Sequence, residues 1–277
     1  MVRLRPAASG SVGHDHANPP HNASPPVGCV RRQGRLKLPS RIRKGLSLLG
    51  HPHFVRAVVG HRVAAATEHL WAIRFCAANT LLDAGANKGQ FSLAFRAVRP
   101  RARIIAFEPL PEAADMYERL FDRDGPTRLQ RIALSSSEGT AQFHVADRTD
   151  SSSLLKPGKG QERAFGVRRA RTIEVPVKRL DDCVDVNSLA HPILLKVDVQ
   201  GGELGVFQGC DPLAEVDFIY VELSFVVLYE GQPLFQDVSE YLARRGFTIA
   251  GVFNQVMTDE FGPTQVDALF KRIRTER

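Results

Sequence analysis

The sequence predicts a doubly wound α/β domain with a mostly parallel sheet, and three observations support this fold class. Short apolar segments alternate with segments of helical spacing between residues 80 and 246, as expected when helices cover both faces of a parallel sheet. The last two apolar segments have no helix between them, which predicts an antiparallel strand pair at one edge. With 277 residues, 43% of them hydrophobic, the chain can bury such a core without disulfides or metals.

Three regions follow from the composition along the chain. Residues 1–40 are rich in Pro, Gly, Ser and His and hold few large apolar side chains, so we expect a disordered tail. Residues 41–78 follow as a helical lead-in, because apolar side chains recur at spacings of three and four over 54–75. Residues 79–277 form the predicted α/β domain.

The formal net charge of +7 originates in the predicted tail. Residues 1–50 hold nine basic side chains and one acidic side chain, whereas residues 51–277 hold 28 basic and 29 acidic side chains. A nucleic-acid-binding protein that uses the tail is therefore an alternative, and the tail is also suited to contact an anionic membrane surface. The near-neutral α/β domain disfavours nucleic acid as its own ligand.

The cysteines and the hydropathy pattern favour a cytoplasmic protein. The four cysteines lie far apart in sequence and form no CxxC pair, which disfavours a zinc or redox motif. No apolar run is long enough for a secretory signal or a transmembrane span. We therefore expect reduced thiols and a cytoplasmic location.

Local sequence features support each predicted strand and helix. The strands are short apolar runs bounded by Gly, Pro or Asp, and the helices show amphipathic spacing, with Pro111 at one helix start and Gly246 at one helix end. The predicted strands are 80–85, 102–109, 128–134, 140–145, 172–180, 192–201, 217–224, 247–254 and 265–272. The predicted helices are 88–98, 111–121, 202–210 and 235–246.

The first strand-to-helix turn, DAGANKG, is the predicted ligand loop, since ligands of open α/β sheets bind at the carboxyl ends of the strands. Gly85 permits a tight turn, and Gly89 lets the helix start close to the ligand. Ala86 and Asn87 stand where a dinucleotide loop has a further glycine, and Asp83 would repel a diphosphate. The loop therefore favours a cationic or amine-bearing ligand.

Glu108 ends the second strand, 25 residues after Asp83, where a carboxylate can accept both hydrogen bonds of a ribose diol. The turn and this acid together predict an adenosine ligand without phosphates, and S-adenosylmethionine fits that description. Two alternatives remain open. In the first, the glycines serve only the turn. In the second, the domain is a nicotinamide-dependent oxidoreductase, which the missing glycine disfavours.

Several stretches of the chain resemble the FkbM family of S-adenosylmethionine-dependent methyltransferases. They are LLDAGANKGQFSLAF (81–95), ARIIAFEPLPEA (102–113), DSSSLL (150–155), ILLKVDVQGGELGVFQGC (193–210) and YVELSFVVLYEG (220–231). The resemblance implies a Rossmann-like methyltransferase fold and methyl transfer to a hydroxyl of a sugar, a glycan or glycolipid, or a secondary metabolite. By position it implies the cofactor-binding residues, which are Asp83, Gly85, Asn87, Gly89, Glu108 and Ala133.

Methyl transfer to oxygen requires alignment of the acceptor and a group that accepts its proton. Asp198, at the end of a strand, is the preferred base or acceptor-orienting residue. Lys196 lies on the same side of that strand and is a second catalytic candidate, with an internal ion pair to Asp198 as the alternative. Glu222 is the third, since an unpartnered carboxylate among apolar residues is costly. Glu203 begins a helix, where capping explains it.

Other groups near the predicted site leave further alternatives open. Asp198, Glu203 and Glu222 could instead hold a divalent metal, and their spacing does not separate metal binding from base chemistry. His144 is a further possible base, although its hairpin strand favours a structural role. The segment 150–153 is similar to a family segment that could extend over the site, and an acceptor would contact residues 150–170 and 224–235.

Overall fold

The computed structural model describes residues 60 and 63–273. The predicted disordered tail and most of the predicted helical lead-in lie outside the described residues. Within the described range, no helix is both long enough and apolar enough to cross a bilayer.

The described residues form ten strands and seven α-helices. In chain order the strands are β1 Thr80–Ala84, β2 Arg103–Phe107, β3 Thr127–Gln130, β4 Ala133–Leu134, β5 Gly139–Ala146, β6 Arg169–Lys178, β7 Ile193–Val197, β8 Phe218–Ser224, β9 Phe247–Thr258 and β10 Gly262–Arg272. The helices are α1 Leu70–Cys76, α2 Gln90–Val98, α3 Pro111–Leu120, α4 Lys159–Phe165, α5 Leu180–Cys183, α6 Glu203–Gln208 and α7 Phe235–Ala243.

Seven strands form the main sheet in the order β3-β2-β1-β7-β8-β10-β9. All neighbouring pairs are parallel except those of β10, which runs antiparallel to both β8 and β9. The predicted fold class, including the antiparallel pair at one edge, is confirmed. The strand order reverses between β1 and β7, and such a reversal opens a crevice at the carboxyl ends of the two strands.

The core lies in two layers because successive side chains of a strand point to opposite faces. Leu82 and Leu195 face one layer with α6 and α7, whereas Leu81 and Leu194 face the other layer with α1 and α2. All four side chains are buried. The sheet is therefore covered on both faces, which explains why its central strands are continuous apolar runs.

The predicted third strand, 128–134, is wrong as a single element. It is divided between β3 in the main sheet and β4, which belongs to a second sheet of order β4-β6-β5. At the division the exposed Arg131 side chain turns outward to ion pairs with Asp115 and Glu118 of α3. The small sheet packs Phe143 and Val175 against Leu110 and so stands over the end of β2.

The predicted helical lead-in is only partly helical where the structure describes it. Helix α1 and a short 3-10 turn at Thr67–His69 agree with the spacing over 54–75, but residues 63–66 have no regular secondary structure. The Ala66 N–H instead donates to the carbonyl of Gln90, 3.1 Å away, at the start of α2. This contact brings the segment before α1 to the crevice of the sheet.

Candidate functional site

A cavity of about 370 Å³ lies at the carboxyl ends of β1, β2, β7 and β8, where the strand order reverses. Its walls come from segments that are far apart in sequence. They are residues 64–69, 85–87, 90–91, 107–109, 132–134, 149–150, 152, 154, 196–200 and 202, with Phe143, Tyr220, Glu222 and Asp267. The position agrees with the ligand crevice predicted for an open α/β sheet.

The loop after β1 takes a backbone path that requires its glycines. Gly85 has a φ of +74°, and a Cβ added there would overlap the carbonyl oxygen of Asp198. Gly89, with a φ of +90°, precedes α2, and its Cβ would lie 2.8 Å from the Phe121 ring. Asn87 also has a positive φ, and its side-chain Oδ1 is buried with no hydrogen-bond partner in the described structure.

Glu108 holds this loop to the end of β2. Its Oε2 accepts a hydrogen bond from the Asn87 N–H at 2.8 Å, and its Oε1 accepts one from the Leu110 N–H at 2.8 Å. Burial raises the pKa of Glu108 to about 7, although the two N–H groups oppose the shift. The side chain belongs to the cavity wall, so this strand-end acid lies where the sequence indicates.

Asp83 and Lys196 form a buried ion pair between β1 and β7. Their Oδ1 and Nζ atoms are 3.2 Å apart, and Ser92 donates to the second Asp83 oxygen at 2.6 Å. The Lys196 ammonium also donates to the Gly85 carbonyl at 2.7 Å and lies 3.8 Å from Asp198 Oδ2. Asp83 is completely buried and is not part of the cavity wall, so it acts on the cavity through Lys196.

Burial and the two nearby carboxylates shift the pKa of Lys196 in opposite directions. Burial lowers the pKa of Lys196, but the nearby Asp83 and Asp198 outweigh it, and the pKa is raised. The alternative of an internal ion pair is therefore realised, with Asp83 as the closer partner.

Asp198 and Glu222 are joined by the amide of Gln200. Its Nε2 donates to Asp198 Oδ1 at 2.7 Å and to Glu222 Oε2 at 2.9 Å. Gln265 Nε2 donates to the same Glu222 oxygen at 2.9 Å, and the Tyr229 hydroxyl donates to Gln200 Oε1 at 2.9 Å. Burial first, and then the nearby Asp198, raise the pKa of Glu222 well above its ordinary value. Burial at this position therefore disfavours the charged form of Glu222.

Glu203 stands apart from these two residues. Its Oε1 accepts a hydrogen bond from the Gly201 N–H at 2.9 Å, and burial raises its pKa to about 7. This contact is made to the turn before α6, and the helix start has no side-chain capping hydrogen bond. Within residues 63–273, no group of three or more His, Cys, Asp or Glu side chains is arranged to hold a metal ion.

Four residues that the sequence analysis missed form a polar cluster at the cavity. The Tyr220 hydroxyl donates to Asp267 Oδ2 at 3.0 Å, and Asn254 Nδ2 donates to the same oxygen at 2.8 Å. His69 Nδ1 lies 2.9 Å from the Tyr220 hydroxyl and 3.3 Å from Asp267 Oδ2. The only local signal is that Tyr220 and Asp267 interrupt apolar strands, because the four residues belong to four distant segments.

Apolar side chains and a loop complete the walls. Ala133 lies between Ile132 and Leu134, and with Phe143 they give one side of the cavity an apolar surface suited to a flat ring. The segment 149–154 reaches the opposite rim, as its similarity to the family segment suggested. His144 is not in the wall, and burial lowers its pKa.

Comparison with known protein families gives one match across the middle of the chain. The model described as the Methyltransferase FkbM domain matches residues 83–249. The match begins at the Asp83 loop and extends beyond the strands that carry Lys196 and Glu222. His69 and Asp267 lie outside it.

Several curated relatives are methyltransferases by name. The 2-O-methyltransferase NoeI of Sinorhizobium fredii is 34% identical over 55% of this chain and 66% of its own length, so the match spans just under two thirds of that protein. Methyltransferase sdnD of Sordaria araneosa is 30% identical over 70% of this chain and 84% of its own length. Hexuronic acid methyltransferase AglP of Haloferax volcanii is 30% identical over 52% of this chain and 56% of its own length.

Proposed function

We propose a function from the premise that this chain belongs to the FkbM methyltransferase family. In this proposal, the chain transfers a methyl group from S-adenosylmethionine to a hydroxyl group of a sugar or a sugar-bearing metabolite. The observation that carries the proposal is the pairing of the glycine loop after β1 with Glu108 at the end of β2, on the wall of one cavity. Such a pair suits an adenosine ligand that has no phosphates.

We assign one end of the cavity to S-adenosylmethionine, and call it the cofactor end. Glu108 would accept hydrogen bonds from the ribose hydroxyls, and the apolar surface around Ala133 and Phe143 would contact the adenine ring. The unpartnered Oδ1 of Asn87 fits a ligand with hydrogen-bond donors. When bound, this cofactor supplies an electrophilic methyl group on a sulfonium.

We assign the opposite end to the hydroxyl acceptor, and call it the acceptor end. It is formed by His69, Asp198, Tyr220, Glu222 and Asp267. Asp198 and Glu222 would hydrogen-bond the acceptor and align its hydroxyl with the methyl group, which is the main requirement of an in-line displacement. Lys196 would act as a positioning residue, because its ammonium is already bound by Asp83 and the Gly85 carbonyl.

The charges of the cavity wall favour an uncharged acceptor. The acids in this wall are Glu68, Glu108, Asp150, Asp198, Glu222 and Asp267, whereas its cationic candidates among the described residues are Lys196 and His69. A phosphorylated or uronic acceptor would face the carboxylates of Asp198 and Asp267 while Lys196 is held by Asp83. We therefore propose a neutral sugar hydroxyl as the acceptor.

Calorimetric titration with S-adenosylhomocysteine tests the cofactor assignment. We expect saturable binding by the purified chain and unchanged binding by Glu138→Gln, an exposed site outside the cavity. The absence of binding to S-adenosylhomocysteine would contradict the proposal. Binding of NADH in its place would favour an oxidoreductase instead.

Transfer of label from methyl-labelled S-adenosylmethionine tests the acceptor class. The acceptors are methyl glycosides of glucose, mannose, rhamnose and fucose, with glucuronic acid and glucose 6-phosphate as anionic comparisons. We expect label in the neutral glycosides. Preferential labelling of an anionic sugar would contradict the proposed neutral acceptor while leaving methyl transfer itself supported.

A further inference from the structure

We propose that His69 is the base that accepts the proton of the acceptor hydroxyl, and that Asp267 and Tyr220 hold its ring in the required orientation. The inference rests on the proposed methyl transfer and adds the residue that completes it. His69 precedes α1, and the other two residues lie on β8 and β10, so the sheet topology brings three distant segments to one wall.

The hydrogen bonds around His69 determine which ring nitrogen faces the acceptor. Tyr220 gives its hydroxyl proton to Asp267, and its oxygen accepts from Asn254 Nδ2 at 3.3 Å. The second lone pair of that oxygen can accept from His69 Nδ1 at 2.9 Å. Asp267 Oδ2, 3.3 Å from the same nitrogen, favours a proton there. With the proton on Nδ1, Nε2 carries a lone pair, and no described side chain donates to it. A base oriented in this way by a carboxylate is a recurrent catalytic arrangement.

Packing restricts the ring further. The His69 ring lies 5.4 Å from the Phe91 ring and 5.5 Å from the Tyr220 ring, in each case measured between centroids. Both aromatic residues also belong to the cavity wall. The imidazole is therefore held between two rings and three polar groups beside the acceptor end.

The other candidate bases are engaged. Asp198 accepts from Gln200 through one oxygen and lies 3.8 Å from the Lys196 ammonium through the other. Glu222 Oε2 accepts two amide hydrogen bonds, from Gln200 and Gln265, and burial raises the pKa of Glu222. Lys196 is a bound cation. His69 differs from these groups because its described polar contacts all involve Nδ1 and leave Nε2 without one.

The step balances as a single displacement. The acceptor O–H bond breaks as the new O–CH₃ bond forms, and the proton passes to His69 Nε2. The S–CH₃ bond breaks at the same time, and its electron pair stays on sulfur. The products are a methyl ether, S-adenosylhomocysteine and a histidine cation whose proton is then lost to water.

The tautomer of His69 can be measured without an acceptor. The experiment uses ¹⁵N-labelled chain bound to S-adenosylhomocysteine at pH 8, with long-range ¹H–¹⁵N spectra assigned by loss of the signal in His69→Gln. We expect the proton on Nδ1 and a bare Nε2, and a shift of the proton toward Nε2 in Asp267→Asn. Asn254 Nδ2 lies 3.2 Å from Nδ1, and if it donated there the proton would be on Nε2. That tautomer in the unaltered chain would overturn the proposal.

The chain contains a matched control pair. His191 Nδ1 lies 2.6 Å from Asp217 Oδ2, a similar histidine and aspartate contact that is not part of the cavity wall. With the neutral methyl glycosides as acceptors, we expect His69→Gln to reduce kcat by about 10²- to 10³-fold. Asp267→Asn should reduce kcat less, and His191→Gln should leave it unchanged. The affinity for S-adenosylhomocysteine should be unchanged in all three variants.

The experiments distinguish failure of the proposed methyl transfer from failure of His69 as the proposed base. If the unaltered chain binds no S-adenosylhomocysteine, the proposed function fails, whatever the tautomer of His69. If it binds and transfers label but His69→Gln keeps kcat within about threefold, the proposed base is wrong and methyl transfer stands.

Discussion

The cofactor end and the acceptor end of the cavity are built from different kinds of contact. At the cofactor end, the loop after β1 and Glu108 are 25 residues apart or less, and backbone N–H groups satisfy the carboxylate. At the acceptor end, side chains from the turn before α1, the segment after β7, β8 and β10 satisfy one another through hydrogen bonds, as Gln200 does between Asp198 and Glu222.

The difference concerns how each end keeps its shape. Backbone donors fix Glu108 directly, so the cofactor end is preorganised by the local chain path. The acceptor end depends on packing between distant elements, and each polar group there relies on another side chain. Substitutions at the two ends should therefore have different effects on folding, cofactor binding and turnover.

Gly85→Ala should have the largest effect, because this residue joins the two ends. Its added methyl group would overlap the Asp198 carbonyl oxygen, so we expect a loss of at least about 4 kcal/mol in the free energy of unfolding. Gly231 has the same φ of +74° with no atom within 4 Å of its added Cβ, so Gly231→Ala should cost only about 1–2 kcal/mol. Urea denaturation measures both, and equal losses would show that overlap with Asp198 is not important.

Asp198→Asn should separate turnover from cofactor binding. The amide keeps the size of the side chain but removes the charge that faces the acceptor, so we expect label transfer to decrease by about 100-fold. Calorimetry should find affinity for S-adenosylhomocysteine within about threefold of the unaltered chain. Undiminished label transfer would remove Asp198 from the chemistry.

Glu108→Ala should weaken binding at the cofactor end and leave the acceptor end unchanged. Loss of two hydrogen bonds from ribose hydroxyls to a carboxylate should weaken S-adenosylhomocysteine binding by about 30- to 100-fold. Titration calorimetry gives the affinity, and a neutral acceptor at saturating cofactor should still be methylated. An unchanged affinity would contradict the assignment of Glu108 to the ribose.

The pKa of Glu108 predicts a dependence of stability on pH. Its pKa of about 7 in the folded chain exceeds the ordinary value of 4.5, so the folded chain binds the additional proton between about pH 4.5 and 7. This stabilising contribution is complete below pH 4.5 and is lost as the pH rises through 7. Denaturation of the ligand-free chain at pH 5–8 should show a smaller decrease in stability for Glu108→Gln. A parallel pH profile for that variant would contradict the prediction.

Tyr229→Phe should have the smallest effect and should be confined to the acceptor end. The buried Tyr229 hydroxyl accepts from Gln161 Nε2 at 3.0 Å and donates to Gln200 Oε1, so its removal should cost about 1–2 kcal/mol. Thermal denaturation measures this cost, while affinity for S-adenosylhomocysteine should not change. A large loss of cofactor affinity would show that the two ends are more tightly coupled than the contacts indicate.

The contrast between local contacts at the cofactor end and long-range contacts at the acceptor end also explains which features the sequence could predict. The cofactor loop, Glu108 and the strands that carry them follow from local patterns, since glycine spacing and strand ends lie within one continuous segment. The candidate acids Asp198 and Glu222 also follow, because each stands at or near the end of an apolar strand. Their proposed roles remain predictions.

Other features depend on contacts that no local pattern contains. The division of the predicted strand 128–134 depends on Arg131, whose partners lie on a helix earlier in the chain. The role of Lys196 depends on the β1 and β7 register, which pairs Asp83 with Lys196. His69 and Asp267 are almost 200 residues apart, and only the completed sheet brings them together.

The location of His69 and Asp267 outside the matched segment 83–249 has a consequence for how such enzymes diversify. The shared segment carries the cofactor loop and Glu108, whereas the flanks before and after it supply part of the wall that meets the acceptor. Exchange of both flanks between two relatives should therefore change the part of that wall formed by His69 and Asp267. Asp198, Tyr220, Glu222 and the methyl-donor site would stay with the shared segment.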